Sequence, residues 1–270
     1  DDKVIIDGFT GKLIVNPDAR TEDAYRVKAA EAGRFYSNLR RESMLMPETS
    51  DGFLIQLAGN LENGDGLQEL TRAGACGIGL LRTEFLYLNR EIPPSEEEQF
   101  ALYKSLLVAT EGRPVIVRTL DVGGDKGAAH IYHAQEANPF LGLRGVRLCL
   151  HERRDIFRTQ LRALLRAGIS GNLKVMLPMV TNAGEILEVK SLVAELQREL
   201  KKEKRDFVST LSIGAMIETP AAALQAEQLA EVVDFFSMGT NDLVQYTMAV
   251  DRGNDRVAYL YETSHQVILE

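Results

Sequence analysis

The sequence predicts an α/β protein built on a parallel sheet. Six short apolar runs of strand length alternate with stretches of helical periodicity. Such alternation implies parallel strands joined by right-handed crossovers. From the residues alone, the six strands suit either an incomplete (β/α)8 barrel or an open doubly wound sheet. The runs are Phe53–Leu57, Gly77–Leu81, Val115–Val117, Val175–Met179, Ile213–Ile217 and Val233–Phe236.

Composition and charge narrow the class of protein. The chain has 270 residues, of which 45% are hydrophobic and 26% charged, so wholesale disorder is excluded. A net charge of −8 without a basic block argues against a nucleic-acid binder. No apolar run approaches the roughly 18 residues that a membrane-spanning helix needs. Two cysteines cannot build a disulfide framework, which favours a cytoplasmic protein.

The first 50 residues differ from the rest of the chain. Two short apolar runs, Val4–Ile6 and Leu13–Val15, flank a glycine-bearing turn and predict a β-hairpin, which is too small to fold alone. Residues 21–45 carry apolar side chains at helical spacing and precede Pro47. This pattern predicts one long amphipathic helix that connects the hairpin to the α/β region.

Local signals mark helices between the strands. Ser95 and Glu98 have the spacing of a capping box, which opens a helix. The arginines between Arg153 and Arg166 are interpreted as the solvated face of a second helix. A third helix is predicted to bury Val189, Val193, Leu196 and Leu200.

Charged groups follow four of the six predicted strands. Arg82 and Glu84 follow the second strand, Arg118 the third and Glu218 the fifth, while Asn241 and Asp242 follow the sixth. In parallel α/β barrels the active site lies at the carboxyl ends of the strands. A single charged residue after a strand is explained by its contact with solvent. Charged residues of both signs after four strands favour a functional site instead.

The two signs of charge predict different ligands. Glu218 and Asp242 are hard oxygen ligands, and Mg²⁺ is usually held by one or two carboxylates together with substrate oxygens. Four arginines offer forked donors to phosphate or carboxylate: Arg82, Arg118, Arg144 and Arg252. Together they suit a small, densely anionic ligand and the stabilisation of negative charge in phosphoryl transfer or enolate formation.

Longer segments around these residues lie at 77–85, 94–100, 115–126, 138–147, 213–223, 235–247 and 249–254. They resemble the PEP-utilising enzymes, most closely the Enzyme I group of the phosphoenolpyruvate:sugar phosphotransferase system. Pro-Ser-Glu-Glu-Glu-Gln-Phe at 94–100 and Gly-Gly-Asp-Lys at 123–126 favour that group over pyruvate phosphate dikinase and PEP synthase. A dikinase-like or synthase-like enzyme is the alternative within the family.

The resemblance implies a fold and a domain order. Residues 51–270 would form a (β/α)8 TIM barrel of the PEP/pyruvate-binding type, truncated to about six strands, with its C-terminal strands missing. Residues 1–20 would be the tail of a swivelling phosphohistidine domain, and residues 21–50 the linker helix. An open barrel exposes strand edges, so we expect a chain that is marginally stable or associates when made alone.

The resemblance also implies roles for individual residues. Mg²⁺ would be held by Glu218 and Asp242. The phosphoryl group of PEP would pass to a histidine on a separate domain and then to the carrier protein HPr, releasing pyruvate. PEP would be bound by Arg82, Arg118, Lys126, Arg144, Asn241, Asp242 and Arg252.

No catalytic residue is assigned within the chain. The phosphorylated histidine and the cysteine that protonates the enolate are expected outside it, so we expect PEP binding without turnover. Cys76 and Cys149 are expected to be buried small hydrophobes, and His130 and His133 are expected to be loop residues.

The resemblance further implies a homodimer. Two other function classes stay open: a stand-alone PEP-binding or dimerisation module, and a Mg²⁺-dependent lyase that cleaves a carbon–carbon bond.

Overall fold

The computed structural model describes residues 2–62, 64–88, 90–123, 131 and 136–270. It divides into two compact units, residues 1–56 with 72–74 and residues 57–71 with 75–270. Three residues named above, Lys126, His130 and His133, lie outside the described residues.

The smaller unit contains the predicted hairpin and helix. Strands β1 (Val4–Asp7) and β2 (Lys12–Val15) pair antiparallel. Helix α1 (Ala19–Glu42) begins at Asp18, whose carboxylate accepts the backbone N–H of Thr21. This N-cap explains why the helix starts two residues earlier than its apolar periodicity indicates. No side chain of α1 is buried, so the helix gains little from packing within this unit.

In the larger unit, the described residues form six parallel strands in sequential order, which curl into a half-barrel. A doubly wound sheet reverses its strand order at a switch point. The unbroken order seen here is that of an incomplete (β/α)8 barrel, so the predicted fold class is confirmed. The strands are β3 (Gly59–Leu61), β4 (Ile78–Leu81), β5 (Val115–Arg118), β6 (Leu173–Leu177), β7 (Ser212–Ile217) and β8 (Phe235–Met238).

The position predicted for the first strand is wrong. Residues 53–57 are not part of the sheet, and Phe53 is 67% exposed. The strand is instead β3, which pairs with β4 from Gly59↔Ile78 onward. Only Leu61 of β3 is buried, so this strand carries almost no apolar signal. Its ladder with β4, and not the hydrophobicity of its own residues, determines where it lies.

Helices cover the outer face of the sheet. Both the capping box at Ser95 and Glu98 and the buried face of the long helix near residue 190 are confirmed. No helix in the described ranges is both long enough and apolar enough to span a membrane. The helices are α2 (Leu67–Arg72), α3 (Glu96–Ala109), α4 (Val146–His151), α5 (Arg154–Ala167), α6 (Ala183–Lys202), α7 (Pro220–Leu224), α8 (Ala226–Ala230), α9 (Thr240–Thr247) and α10 (Gln266–Leu269).

The hydrophobic core lies between this outer face and the helices. Alternate residues of each strand point to opposite faces. Val117, Val175 and Ile213 belong to the core cluster together with side chains of α3, α5 and α6. Their neighbours in sequence, such as Arg118, therefore face the inside of the half-barrel. This alternation places the polar ends of the strands around one opening.

The arginines of α5 are not a solvated face, contrary to the interpretation from the sequence. Arg162 donates to Glu96 of α3 at 2.7 Å and to Glu203 at the end of α6 at 2.6 Å. Arg166 is only 6% exposed and donates to Glu96 at 2.6 Å. The arginines therefore join three helices through ion pairs that span up to 70 residues of sequence.

The two cysteines are free and differ in burial. Cys149 is fully buried, as expected, and burial raises the pKa of its thiol. Cys76 is only partly buried, so the expectation of full burial is wrong for this residue. It lies just before β4, where the chain enters the sheet.

Candidate active site

A cleft of about 900 Å³ opens at the carboxyl ends of the strands. The five charged residues predicted after the ends of four strands, Arg82, Glu84, Arg118, Glu218 and Asp242, all line it. Asn241 and Arg252 line it as well. The structure thus brings together six of the residues predicted to bind PEP or Mg²⁺. Of the other two, Lys126 lies outside the described residues and Arg144 lies behind the wall of the cleft.

Arg118 is the most buried cation in the wall of the cleft. It ends β5, and its Nη2 donates to Glu84 Oε1 at 2.7 Å. Its Nη1 lies 3.3 Å from Asp121 Oδ2, whereas its buried Nε has no hydrogen-bond partner among the described residues. Burial acts to lower the pKa of Arg118, but Asp121, Glu84 and Glu218 raise it by more, so the side chain stays charged. A buried N–H without an acceptor is the kind of group that a ligand satisfies.

A buried polar network holds the backbone around Arg118. Thr83 donates its hydroxyl to the carbonyl oxygen of Arg118 at 2.9 Å. Gln160 of α5 donates to Thr83 Oγ1 at 3.1 Å and to Tyr103 Oη at 3.3 Å, and accepts the N–H of Leu120 at 3.0 Å. Sequence reasoning missed Gln160. The sequence feature that could have indicated it is a polar residue on the apolar face of an amphipathic helix.

Glu218 follows β7 directly, and two backbone features fix its carboxylate. Met179 donates its N–H to Glu218 Oε1 at 2.6 Å. Met179 has φ 58°, an uncommon conformation for a residue with a side chain, and such strain concentrates at functional sites. On the other side, a Cβ at Gly239 would lie 2.7 Å from Glu218 Oε2. Only glycine leaves room there for the carboxylate.

The surroundings of Glu218 favour a cation beside it. Burial, aided by Asp121 and Asp242, raises the pKa of Glu218 to about 8, although Met179 and Arg118 act to lower it. Asp242 lines the same cleft. Within the part of the chain that the structure describes, no group of three or more His, Cys, Asp or Glu side chains is placed to hold a metal. Two carboxylates fit Mg²⁺, which completes its coordination with water and substrate oxygens.

Arg144 lies between two carboxylates and is 1% exposed. Its Nε and Nη2 donate to the two oxygens of Asp121, each at 3.0 Å. Its Nη1 and Nη2 donate to the two oxygens of Asp242 at 3.3 and 3.0 Å. Nη1 also donates to Tyr246 Oη at 3.3 Å. A guanidinium has five N–H donors, and these contacts use all of them on the protein itself.

The open side of the cleft carries cations that are more accessible. Arg82 Nη1 pairs with Glu62 Oε1 at 2.8 Å, and both side chains are largely exposed. Arg252 Nη1 lies 3.9 Å from Asp242 Oδ1. Asn241 Oδ1 accepts the hydroxyl of Tyr261 at 3.2 Å, which leaves its amide N–H groups available. An anion in the cleft therefore meets exposed donors on one side and the buried Arg118 on the other.

Comparison with known proteins agrees with this geometry. Residues 37–270 match the family model described as "PEP-utilising enzyme, PEP-binding domain". The chain belongs to the PEP-utilising enzymes. Within that family it is similar to proteins named phosphoenolpyruvate-protein phosphotransferase. The identity is 46% over 271 residues with those of Bacillus sp. (strain S) and Geobacillus stearothermophilus, and 44% over 273 residues with that of Bacillus subtilis (strain 168).

Coverage limits what this similarity says about the PEP-utilising chain. The alignments include 98–99% of this chain but 46% of each relative. The chain thus spans about half the length of the curated relatives it matches. Among solved structures, it is similar to a citrate lyase from Burkholderia xenovorans LB400 over 80% of this chain and 58% of that one, with 18% identity and a TM-score of 0.46. Similarity that low has no bearing on chemistry.

Proposed function

We propose that the cleft binds phosphoenolpyruvate together with Mg²⁺. The observation that carries this proposal is the division of charge within one cleft. Guanidinium groups of Arg82, Arg118 and Arg252 line it beside the carboxylates of Glu218 and Asp242. Phosphoenolpyruvate carries a phosphate and a carboxylate on a three-carbon frame, so it needs forked cationic donors at two places. The names of the curated relatives agree with this ligand.

The residues have distinct roles in this proposal. Arg118 offers its unpartnered Nε from the buried side, while Arg82 and Arg252 approach from the open side. Asn241 adds amide donors, and we expect Lys126 to add positive charge. Glu218 and Asp242 would hold Mg²⁺. When bound, Mg²⁺ neutralises charge on the phosphoryl oxygens and on the enolate that forms as the phosphoryl group departs.

We further infer that the chain is the PEP-binding part of a phosphoenolpyruvate-protein phosphotransferase. The 46% identity with relatives of that name supports this inference. In such an enzyme the phosphoryl group passes to a histidine, then to HPr, and pyruvate is released. Residues 1–20 would then end the domain with that histidine, residues 21–50 would be the linker and residues 51–270 the PEP-binding barrel. A homodimer and a cytoplasmic location complete the proposal.

A calorimetric titration tests the ligand. We expect the chain to bind PEP only with Mg²⁺ present. Glu218→Ala should abolish binding because it removes a Mg²⁺ ligand, and Arg118→Ala should abolish it because it removes a donor to the anion. Arg198→Ala is the control, because Arg198 lies on α6 and does not line the cleft, and within the described residues its one hydrogen bond goes to the Ala194 carbonyl of its own helix. Equal binding by all variants, or no binding by a folded chain, would count against the proposal.

A second experiment tests the reaction. The full-length protein is incubated with labelled PEP, purified HPr, and AMP with phosphate or pyrophosphate, and label on HPr and on the nucleotide is measured. Transfer that stops in Glu218→Ala supports the phosphotransferase. Label that passes to a nucleotide and not to HPr would favour the dikinase-like or synthase-like alternative.

A further inference from the structure

Charges of opposite sign alternate in and directly behind one wall of the cleft. Glu84 pairs with Arg118 at 2.7 Å, and Arg118 lies 3.3 Å from Asp121. Asp121 pairs with Arg144 at 3.0 Å, and Arg144 pairs with Asp242 at 3.0 Å. All five side chains are at most 10% exposed. The proposed anion-binding arginine and the proposed cation ligand therefore belong to one buried chain of contacts.

Arg144 is the centre of this chain and has no donor left for a ligand. Its planar guanidinium donates hydrogen bonds to both oxygens of Asp121 and to both oxygens of Asp242. These partners come from positions 23 and 98 residues away in the sequence. A single side chain thus contacts two carboxylates from different parts of the fold, Asp121 in the segment after β5 and Asp242 in the first turn of α9.

We propose that Arg144 is a positioning residue, which orients Asp242 for the cation and, through Asp121, orients Arg118 for the anion. This inference rests on the proposed function for the identity of the two ligands. It assigns Arg144 a role that differs from the direct contact with the substrate that the family resemblance implies.

The shape of the guanidinium, and not its charge alone, is what the two carboxylates require. Arginine presents parallel N–H pairs that match a carboxylate on two sides, whereas a lysine ammonium is a single point of charge. Arg144→Lys therefore keeps the charge and the approximate length but cannot hold both carboxylates in one plane. A role through charge alone would survive this substitution.

The matched control is Arg166→Lys. Arg166 is also buried, with 6% exposure, and donates through its two Nη atoms to Glu96 and Glu97. It lies on α5 and does not line the cleft. The same substitution there has a comparable structural cost without touching Asp121 or Asp242.

The first measurement is ligand affinity. Mn²⁺ alone, followed by electron paramagnetic resonance of the free ion, reports on the cation side, and PEP with Mg²⁺ reports on both sides. We expect Arg144→Lys to weaken each affinity by about tenfold or more, since hydrogen bonds to charged groups are worth this much. Arg166→Lys should change neither. Unchanged or tighter Mn²⁺ binding in Arg144→Lys would overturn the proposal.

The second measurement needs no ligand. Buried arginines give slowly exchanging Nε–Hε signals in ¹H–¹⁵N NMR spectra, and Arg118→Lys assigns the signal of Arg118. We expect Arg144→Lys to shift the Arg118 signal or hasten its exchange, while Arg166→Lys leaves it in place. An unmoved Arg118 signal would overturn the proposal. A wild-type chain that binds neither PEP nor Mn²⁺ would refute the proposed function, and this spectrum would still decide the role of Arg144.

Discussion

Met179 donates its backbone N–H to Glu218 Oε1 over 2.6 Å, from a left-handed backbone conformation at the end of β6. Gly239, at the end of β8, approaches the same carboxylate from the other side. Glu218 follows β7, so its side chain is confined by the strands on both sides of its own. This arrangement leaves the carboxylate one orientation, which places it in the wall of the cleft.

Gly239→Ala should therefore displace Glu218. The new Cβ would lie 2.6 Å from Glu218 Cβ and 3.0 Å from Met216 Cγ, both too close for van der Waals contact. We expect loss of Mg²⁺-dependent PEP binding and a decrease of about 1–3 kcal/mol in the free energy of unfolding, as for other overpacked sites. Gly8→Ala is the control, because a Cβ at Gly8 meets nothing within 4 Å. Calorimetry and urea denaturation measure the two effects, and wild-type binding by Gly239→Ala would contradict the prediction.

Stability should depend on pH through Glu218. Its pKa is raised from 4.5 to about 8 in the folded chain, with burial as the main cause. Between these values the folded state binds more protons at this site than the unfolded state, so the contribution of Glu218 to stability falls as pH rises. Glu218→Gln does not titrate there. We expect the free energy of unfolding of Glu218→Gln, relative to wild type, to increase from pH 4.5 to pH 8 without metal. If the free energies of unfolding of the two proteins changed with pH in the same way, the pKa of Glu218 would not be raised by its surroundings.

Gln160→Met should destabilise the chain although methionine has a similar shape. The substitution removes the acceptor of the Leu120 N–H and the donor to Thr83 Oγ1 in a fully buried place. A buried polar group left without a partner costs about 1–3 kcal/mol, and we expect a loss of that size in urea denaturation. PEP affinity should fall as well, because Thr83 holds the backbone of Arg118. Gln228→Met, at an exposed position on α8, is the comparison and should leave both quantities unchanged.

Arg162→Met should weaken the packing of α5 against its neighbours. Arg162 is 16% exposed and pairs with Glu96, Glu199 and Glu203, so methionine leaves three carboxylates without this partner. We expect a loss of about 1–3 kcal/mol, and a smaller difference from wild type in 1 M salt, because salt screens charges near the surface. Arg198→Met on α6 is the control, because the hydrogen bond that Arg198 makes among the described residues stays within its own helix. A loss independent of salt would assign the effect to packing of the arginine stem.

The sheet could be predicted from the sequence because its strands obey two simple rules. Apolar side chains such as Val117, Val175 and Ile213 recur in runs of strand length, and a charge follows at the end of most of these runs. The carboxyl ends of parallel strands converge, so Arg118 and Glu218 could be placed in one cleft without any knowledge of their distance. The first strand could not be predicted in this way, because β3 is positioned by its hydrogen bonds with β4 and not by an apolar run of its own.

The partners of the buried charges could not be predicted. Nothing local distinguishes Arg144, which meets Asp242 across 98 residues, from Arg118, whose Nε has no partner among the described residues. Arg118 ends β5 and Arg144 lies just before α4, and only the fold decides which of the two has all its N–H groups directed at protein acceptors. The arginines of α5 show the same limit, because a row of charges on a helix is equally compatible with solvent and with acidic neighbours on α3 and α6.

The sequential order of the strands has a consequence for how the chain folds. Within the described residues each strand pairs only with those next to it in the sequence, so a strand pair can form as soon as the later of its two strands has been synthesised. The paired residues are nevertheless far apart in the sequence, as Val115 and Leu173 show, and parallel pairing over such distances is slow. The cleft takes residues from Asn60 to Tyr261. Ligand binding therefore becomes available only late in synthesis, once the segment that carries Tyr261 has been added.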